Sequence, residues 1–508
     1  MTTFQRRAPV DMPGPEGDST VAREPLWHAF GAGDDAPEPP PWTWTEEPPP
    51  EAHVPPPLPA SVRDGTRAAL PLGTVDLLTQ IRYPNGRIAS VPAEEDRLWY
   101  ALIASFGTQR REPDNPYNDH RGYASPRCLF PVAVFAGDRG RWQMLDVERH
   151  ARVTLAGARP TAGPASIVLA GRYTAIPPSY KWLRGSLVNL EVGIMLRALA
   201  VGLGLFGLPG WLRLPDSRSA GLLEELGLRP AGEWSLPLTV SIGPDGGPGD
   251  CAGVAADRRM TPGAGNAAHA ALADLVQVNR AQEFAGPAAE LGPGLPELAA
   301  CPPGAPSWAE LLWRRNSGRM PRGLHGMAGR RRRVPAAALT DALRWLAVPP
   351  PGALAAVSSA VTATVVLQDV AGYADGIYQV RDGAAVLVAD DATAAARFEF
   401  EYGHPLSPGV GCAVRHASMI WFLSVRPREL AARFGDGGWT AAQYVSGWAT
   451  HGLCLAAAAA GLFARPVRAF HEIGTQRILG LAPDDMIVLA VMAGTPRTSG
   501  GALLDLRL

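Results

Sequence analysis

Two stretches of this chain repeat one order of elements, and that repetition limits the fold more than any other feature of the sequence. The first spans 67–242 and the second 307–508. Each carries a long, nearly unbroken apolar segment, 189–203 in one and 447–462 in the other, which reads as a buried helix. A Pro/Gly loop follows each, at 206–211 and 465–470. Next come a short helix with a similar ending, at 222–228 and 476–481, and an apolar strand that stops at a glycine, at 236–243 and 486–494. Upstream, a Pro-rich loop leads into a strand near 131–135 in the first stretch, and a strand spans 361–367 in the second. The predicted fold class is α+β: an antiparallel-type sheet among long helices, present twice in tandem. Residues 1–66 form a Pro-rich tail with too few aliphatic residues to order itself, expected to be largely disordered or wrapped on the body through Trp27, Trp42 and Trp44. Residues 243–306 form a Gly/Pro/Ala-rich linker.

Charge and cysteine usage exclude several function classes. The formal net charge is -1, without the basic surplus of a nucleic-acid binder, so no nucleic-acid partner is expected. The start of the chain has no apolar stretch behind basic residues, and the longest apolar run, 452–464, is short of a bilayer span of about 20 residues. No membrane association is expected. Five cysteines (Cys128, Cys251, Cys301, Cys412, Cys454) are scattered and odd in number, which points to a reducing, cytoplasmic compartment. The histidines show no metal-ligand spacing, and no Gly-rich nucleotide fingerprint follows a strand, so neither a metal nor a Rossmann domain is expected.

Lys and Arg together number 47, yet Lys181 is the one lysine. The abundance of Ala, Gly, Pro and Arg looks like GC-rich coding, in which arginine replaces lysine wherever either serves. A lysine kept under that bias is a candidate for work that needs a shifting pKa, which arginine cannot supply.

Three motifs complete the reading. Arg314-Arg315-Asn316-Ser317-Gly318-Arg319 offers guanidinium forks and a hydroxyl suited to phosphate. Arg121-Gly122-Tyr123-Ala124-Ser125-Pro126-Arg127-Cys128 is a Pro-bearing loop before a strand, and Ser179-Tyr180-Lys181-Trp182-Leu183-Arg184-Gly185 precedes the first long helix. Together with the element order, these resemble the nitroreductase-like flavoprotein superfamily in its SagB-type branch of azoline dehydrogenases, the thiopeptide-pathway type. The resemblance covers 67–242 and 307–508.

Members of that superfamily form dimers with FMN at the subunit interface, so the resemblance implies two nitroreductase-like units fused into an intramolecular pseudo-dimer, acting as a monomer. The family's Arg-Arg-Ser-x-Arg, which grips the FMN phosphate, implies that role for Arg314, Arg315, Ser317 and Arg319, with an Asn inserted or the serine shifted by one. Its flavin-side Pro-Ser loop implies Ser125 and Arg127, with the family's glycine displaced by Arg127 or Cys128. The loop with Pro466, Val467 and Arg468 is expected near the flavin, and Arg497 at its phosphate or pyrimidine end. The branch's Lys-Tyr pair implies Lys181 and Tyr180 as catalytic residues, the lysine acting either as a base or as a fixed positive charge. The second stretch keeps the arginines and the first keeps the serine loop and lysine, which makes one complete FMN site and one dead one.

The function so implied is FMN-dependent oxidation of thiazolines or oxazolines to thiazoles or oxazoles in a ribosomally made peptide. The expected partners are the azoline peptide with its leader and a cyclodehydratase. An NAD(P)H-dependent nitro- or quinone reductase and a non-catalytic flavin-binding scaffold are the alternatives. Arg330 to Arg333 read as a solvated loop or as a dock for an acidic leader.

Overall fold

The computed structural model describes residues 54–113, 119–161, 164–216, 218–244, 286–297, 304–318, 329–402, 413–496 and 502–508, together with Pro25, His28, Leu272, Leu275 and Phe284. In chain order the first half contains β1 (Thr66–Ala69), α1 (Thr74–Thr79), α2 (Arg97–Phe106), β2 (Thr108–Arg111), β3 (Asp119–Arg121), β4 (Val132–Asp138), β5 (Arg141–Asp146), β6 (Ala151–Thr154), β7 (Ser166–Gly171), α3 (Leu183–Leu205), β8 (Gly210–Arg213), α4 (Ser219–Glu225), β9 (Leu238–Ile242) and β10 (Ala289–Glu290). The second contains α5 (Trp308–Arg314), β11 (Gly329–Arg330), α6 (Ala336–Leu346), β12 (Thr362–Leu367), β13 (Gly376–Arg381), β14 (Ala384–Ala389), β15 (Met419–Val425), α7 (Gly438–Ala459), β16 (Phe463–Val467), α8 (Glu472–Leu479), β17 (Met486–Pro496) and β18 (Leu504–Asp505).

Strand order demonstrates the duplication. The first sheet runs β1-β6-β5-β4-β7-β9-β8-β10, and the second runs β11-β17-β15-β12-β13-β14 with β16 also on β17. The core of one, β6-β5-β4-β7-β9-β8, therefore matches β14-β13-β12-β15-β17-β16 of the other, position for position. The pairings are antiparallel, as expected. Strand β15 is buried at every position, which is why it reads as a continuous apolar run and not as an alternation. Two segments read as plain Pro/Gly loops, 206–211 and 465–470, in fact overlap β8 and β16. These short strands are specified by their neighbours β9, β10 and β17, not by local propensity.

The halves are joined through their long helices. Helix α3 is apolar on nearly every side, so it is stable only when surrounded. Among the described residues it is the helix long and apolar enough to cross a membrane, in place of the 452–464 run. However, 89% of its apolar window is packed inside the fold, as in a core helix. Helices α3 and α7 run in the same direction and cross at two glycines. A Cβ on Gly193 would enter the backbone of Tyr444, and one on Gly447 would enter the carbonyl of Leu190. One turn away, Asn189 Nδ2 donates to Gln443 Oε1 at 2.8 Å across a separation of 254 residues. Gly193 and Gly447 have the same separation, so each helix presents the same positions to the other about a local twofold axis.

The chain ends reinforce the joint. Strand β18 from the end of the second half pairs with β2 of the first, and the Val75 N–H donates to the Leu508 carbonyl. In the tail, His28 is buried, with Nε2 2.7 Å from the Val488 carbonyl and its ring edge-on to Trp439 at 5.2 Å. Pro56 and Pro57 accept hydrogen bonds from Arg172. Trp27, Trp42 and Trp44 lie outside the described residues.

The two-glycine crossing makes a direct prediction. Gly193→Val or Gly447→Val forces the helices apart, and overpacking of this kind typically costs about 1–3 kcal/mol. Thermal denaturation should show each variant melting several degrees below the parent chain; unchanged melting would mean that the helices do not meet there.

Candidate functional site

Helix α5 delivers the central residue of the site. Ser307 caps its start, its hydroxyl accepting from the Glu310 N–H at 3.2 Å, in the Ser-x-x-Glu pattern of a capping box. Trp308, Leu311 and Leu312 are buried on one face. Arg315 follows them at i+7, i+4 and i+3, so it extends that inward face, whereas Arg314 stacks over Glu310 on the outward one. The carbonyls at the end of α5 are capped from the other half. Arg110 on β2 donates to the Trp313 carbonyl and, at 3.2 Å, to that of Arg315. Beyond the helix, Asn316 closes a tight turn, with Oδ1 accepting from the Gly318 N–H at 2.9 Å and Nδ2 donating to the Arg314 carbonyl. This is how the extra Asn in the arginine motif is accommodated. Arg465 on β16 then ties the turn down through the Ser317 carbonyl at 2.9 Å.

The two arginines of the motif have opposite environments. Arg314 is half-exposed and paired with Glu310. Arg315 is 3% exposed, and its Nε and Nη1 have no hydrogen-bond partner among the described residues. Burial pulls its pKa below the usual arginine value. Cys454 of α7, together with Arg110, Cys128 and Glu112 of the first half, lies close enough for its charge to act on Arg315. The residue therefore sits where the two halves meet. An oxyanion such as a phosphate offers acceptors suited to buried, unused guanidinium donors.

The serine loop faces this point from the first half. Gly122 abuts Leu312 of α5. The Ser125 hydroxyl donates to Glu191 Oε2 of α3 at 2.6 Å and accepts from the Phe130 N–H at 2.9 Å. Between those anchors, Arg127, Cys128 and Phe130 all hold left-handed backbone, with φ of 50°, 53° and 47°. Such residues are strained by about 1–3 kcal/mol each unless the surroundings impose the conformation. The motif's displaced glycine thus survives as a backbone shape without the glycine. Arg121 braces the loop, donating to the Tyr123 hydroxyl at 3.0 Å and lying 3.9 Å from the Phe130 ring centre. Glu191 is fully buried, and burial pushes its carboxyl up to about 8 against the opposing effects of Ser125 and Arg121.

The local twofold axis shows what occupies the reciprocal position. His451 of α7 corresponds to Arg197 of α3, again 254 residues apart. Arg197 is wholly buried, and it donates to the carbonyls of Gly294 at 3.1 Å, Trp448 at 3.0 Å and Trp345 at 2.8 Å. Its guanidinium lies 4.8 Å from the Trp345 ring and 5.2 Å from that of Trp448. Tyr83, just after α1, stacks on Trp345 at 5.9 Å and donates to Asp341 at 2.6 Å. That side is filled and satisfied. On the other side, His451 borders a cavity of about 10 Å³ with Ser105, Gly122, Gly202, Trp308 and Leu312. Burial first, and then the charges of Arg197 and Arg315, hold its imidazole down at about 3, so it is neutral at physiological pH. The cavity is the size of a single water, too small for a three-ring cofactor.

The remaining sequence-predicted residues are more dispersed. Lys181 follows the 3₁₀ turn Pro178–Tyr180 with φ 41°, and Arg184 binds its carbonyl at 2.8 Å. It is half-buried, and its ammonium makes no hydrogen bond or ion pair among the described residues. Tyr180 packs at the edge of the main core. Pro466 and Val467 are half-buried on β16, opposite Val491 and Ala490 of β17. Arg468 was expected beside the cofactor. Its side chain, 5% exposed, is held by Glu472 at 2.8 Å and by His28 Nε2 at 3.0 Å. Arg319 and Arg497 lie outside the described residues. In the arginine run, Arg331 is neutralised by Asp369 and Asp375, while Arg330, Arg332 and Arg333 are exposed. Sequence reasoning missed Arg110, Glu191 and Arg197. The last two were signalled as single charged residues inside an otherwise apolar helix.

No family model matches the sequence, and no curated protein matches it. Among solved structures, a candidate nitroreductase from Anabaena variabilis superposes with a TM-score of 0.60 at 13% identity, covering 85% of this chain and 92% of its own. A match that long spans both halves, so the nitroreductase-like α+β fold holds for the tandem as a whole. The Escherichia coli microcin synthetase complex with truncated pro-MccB17 bound matches at a TM-score of 0.28 and 12% identity, over 32% of this chain and 64% of that one. A candidate nitroreductase from Ralstonia eutropha matches at 0.27 and 14%, over 37% and 82%. Neither of these two is close enough to bear on the fold or the function.

The contrast within the arginine motif is open to a ligand-free test. Leaving a charged group buried and unmatched is unfavourable by about 1–3 kcal/mol or more. In phosphate-free buffer, Arg315→Met should therefore melt above the parent chain, while Arg314→Met should change little, as an exposed pair contributes about 0–1 kcal/mol. Equal effects of the two would place Arg315 in an ordinary satisfied environment.

Proposed function

We propose that this chain is an FMN-dependent dehydrogenase that oxidises thiazolines or oxazolines to the aromatic azoles in a ribosomally synthesised peptide, such as a thiopeptide precursor. The observation that carries the proposal is Arg315: a buried guanidinium with two unused donors, placed at the junction of two nitroreductase-like units by the motif that resembles the family's phosphate grip. In this reading Arg315 holds the cofactor phosphate from the second half, and the Ser125 loop lies along the cofactor from the first. Bound FMN supplies hydride acceptance from carbon.

The residues of this chain supply binding, orientation and proton handling. Aromatising an azoline removes one hydrogen as hydride and one as a proton, and a positioned acid or base can contribute about 10²–10⁴-fold to the proton step. Lys181 takes that role in this proposal, either by accepting the proton or by remaining charged beside the developing anion, with Tyr180 as its neighbour. Among the described residues its ammonium has no partner to hold it away from a substrate. A peptide substrate carrying a leader, a cyclodehydratase that makes the azolines, a monomeric pseudo-dimer and a cytoplasmic setting complete the proposal.

The test is turnover of an azoline peptide by the FMN-loaded protein, measured as the loss of two mass units per ring. Lys181→Arg keeps the charge and removes the titratable amine. The expected result is FMN retained but azoline oxidation reduced about 10²-fold or more, with Tyr180→Phe affected less. Wild-type turnover by Lys181→Arg would reduce Lys181 to a positive charge. NADPH-dependent nitroarene reduction with no azoline oxidation would identify a reductase instead.

A further inference from the structure

We propose that Glu191 is the positioning residue of the Ser125 loop, pinning it to α3 and, by holding or losing its proton, setting whether the loop keeps its strained shape. This inference concerns the site of the proposed function, but it rests on contacts that exist whatever ligand binds there.

Three residues of the six from Ser125 to Phe130 hold left-handed backbone, none of them glycine, so the loop would relax unless something imposes that shape. One of its anchors is a hydroxyl. Ser125 Oγ receives the Phe130 N–H at 2.9 Å, which closes the loop on itself, and donates its own proton to Glu191 Oε2 at 2.6 Å, which fixes the closed loop to the long helix. Glu191 sits three residues before Ile194 and two before Gly193, on the stretch of α3 locked against α7. The loop is therefore referenced to the joint between the halves, the same joint that places Arg315.

The proton state follows from the surroundings. Burial favours the neutral carboxyl and pushes it up to about 8. The Ser125 hydroxyl, then Arg121 on β3, the charged group that faces Glu191, and the Val132 N–H act in the opposite sense, and burial outweighs them. Tyr123, between β3 and the loop, feels Glu191 and Cys128 and is itself pushed up to about 12 by burial, so it stays neutral with the carboxyl. The titratable groups of the other packed helices point elsewhere: Tyr100 of α2 stacks on Phe206, while His451 and Cys454 of α7 lie beside Arg315. At neutral pH Glu191 is thus mostly protonated and accepts the Ser125 bond without burying a charge. Above the transition a buried carboxylate forms, and water must reach it or the loop must open to admit water. The sign is that of a raised carboxyl: the pinned loop is favoured below the transition and released as pH rises through it.

Hydrogen exchange of the Phe130 amide, corrected for intrinsic pH dependence, reads the pin without any cofactor. Protection in the wild-type chain should fall tenfold or more between pH 6.5 and 9.5. Glu191→Gln accepts the same bond but cannot ionise, so it should hold its protection across the range. Ser125→Ala should be unprotected at both ends. Parallel pH profiles for the wild type and Glu191→Gln would overturn the proposal, as would full protection in Ser125→Ala. Should Glu191→Gln fail to fold, the wild-type profile against Ser125→Ala still decides. FMN titration of the same samples separates the two readings: a pH-dependent amide in a chain that binds no FMN upholds the pin and removes the flavin.

Discussion

Everything in this molecule hangs on the crossing of α3 and α7. At Gly193 and Gly447 the two backbones approach as closely as backbones can, and the buried Asn189–Gln443 bond fixes their register. Packing interiors deform little, so this contact holds each half in one orientation relative to the other. The remaining joints follow from it. Arg110 reaches across to cap α5, Gly122 lies against Leu312, and β18 returns to β2. A homodimer would make such contacts twice and identically; a fused chain is free to make them differently on the two sides.

That freedom has been used. On one side Arg197 fills its position, with every donor group met by a carbonyl and tryptophan rings on its guanidinium. On the other the equivalent residue is the smaller, neutral His451, and beside it Arg315 retains donors that no described residue satisfies. One face of the joint has been completed as core and the other left chemically unfinished. The difference arises from a few side chains on a common backbone plan, which is why strand order is symmetric while chemistry is not.

How much of this could be read beforehand depends on whether the deciding interaction is local. The duplication, the long helices and the closing strands were legible because apolar runs and glycine stops are local signals. Strands β8 and β16 were not, because their pairing partners decide them. Arg315 was found through its motif, while the outward orientation of Arg314 followed from helical phase and Glu310 four residues earlier, a signal that was present in the sequence. The contact of Arg468 with His28 was not legible, because the two are distant in the chain. Ser125 was legible by resemblance, but its anchor Glu191 could be recognised only once α3 and the loop were brought together.

If the two halves together build a single anion-holding site at their joint, with the reciprocal position closed by Arg197 and its tryptophans, the chain binds one flavin. Flavin stoichiometry tests it most directly. After reconstitution with FMN and removal of excess, absorbance against protein concentration should give one FMN per chain, and the Arg315→Ala variant should give almost none. Two flavins per chain, or full loading of Arg315→Ala, would contradict the account.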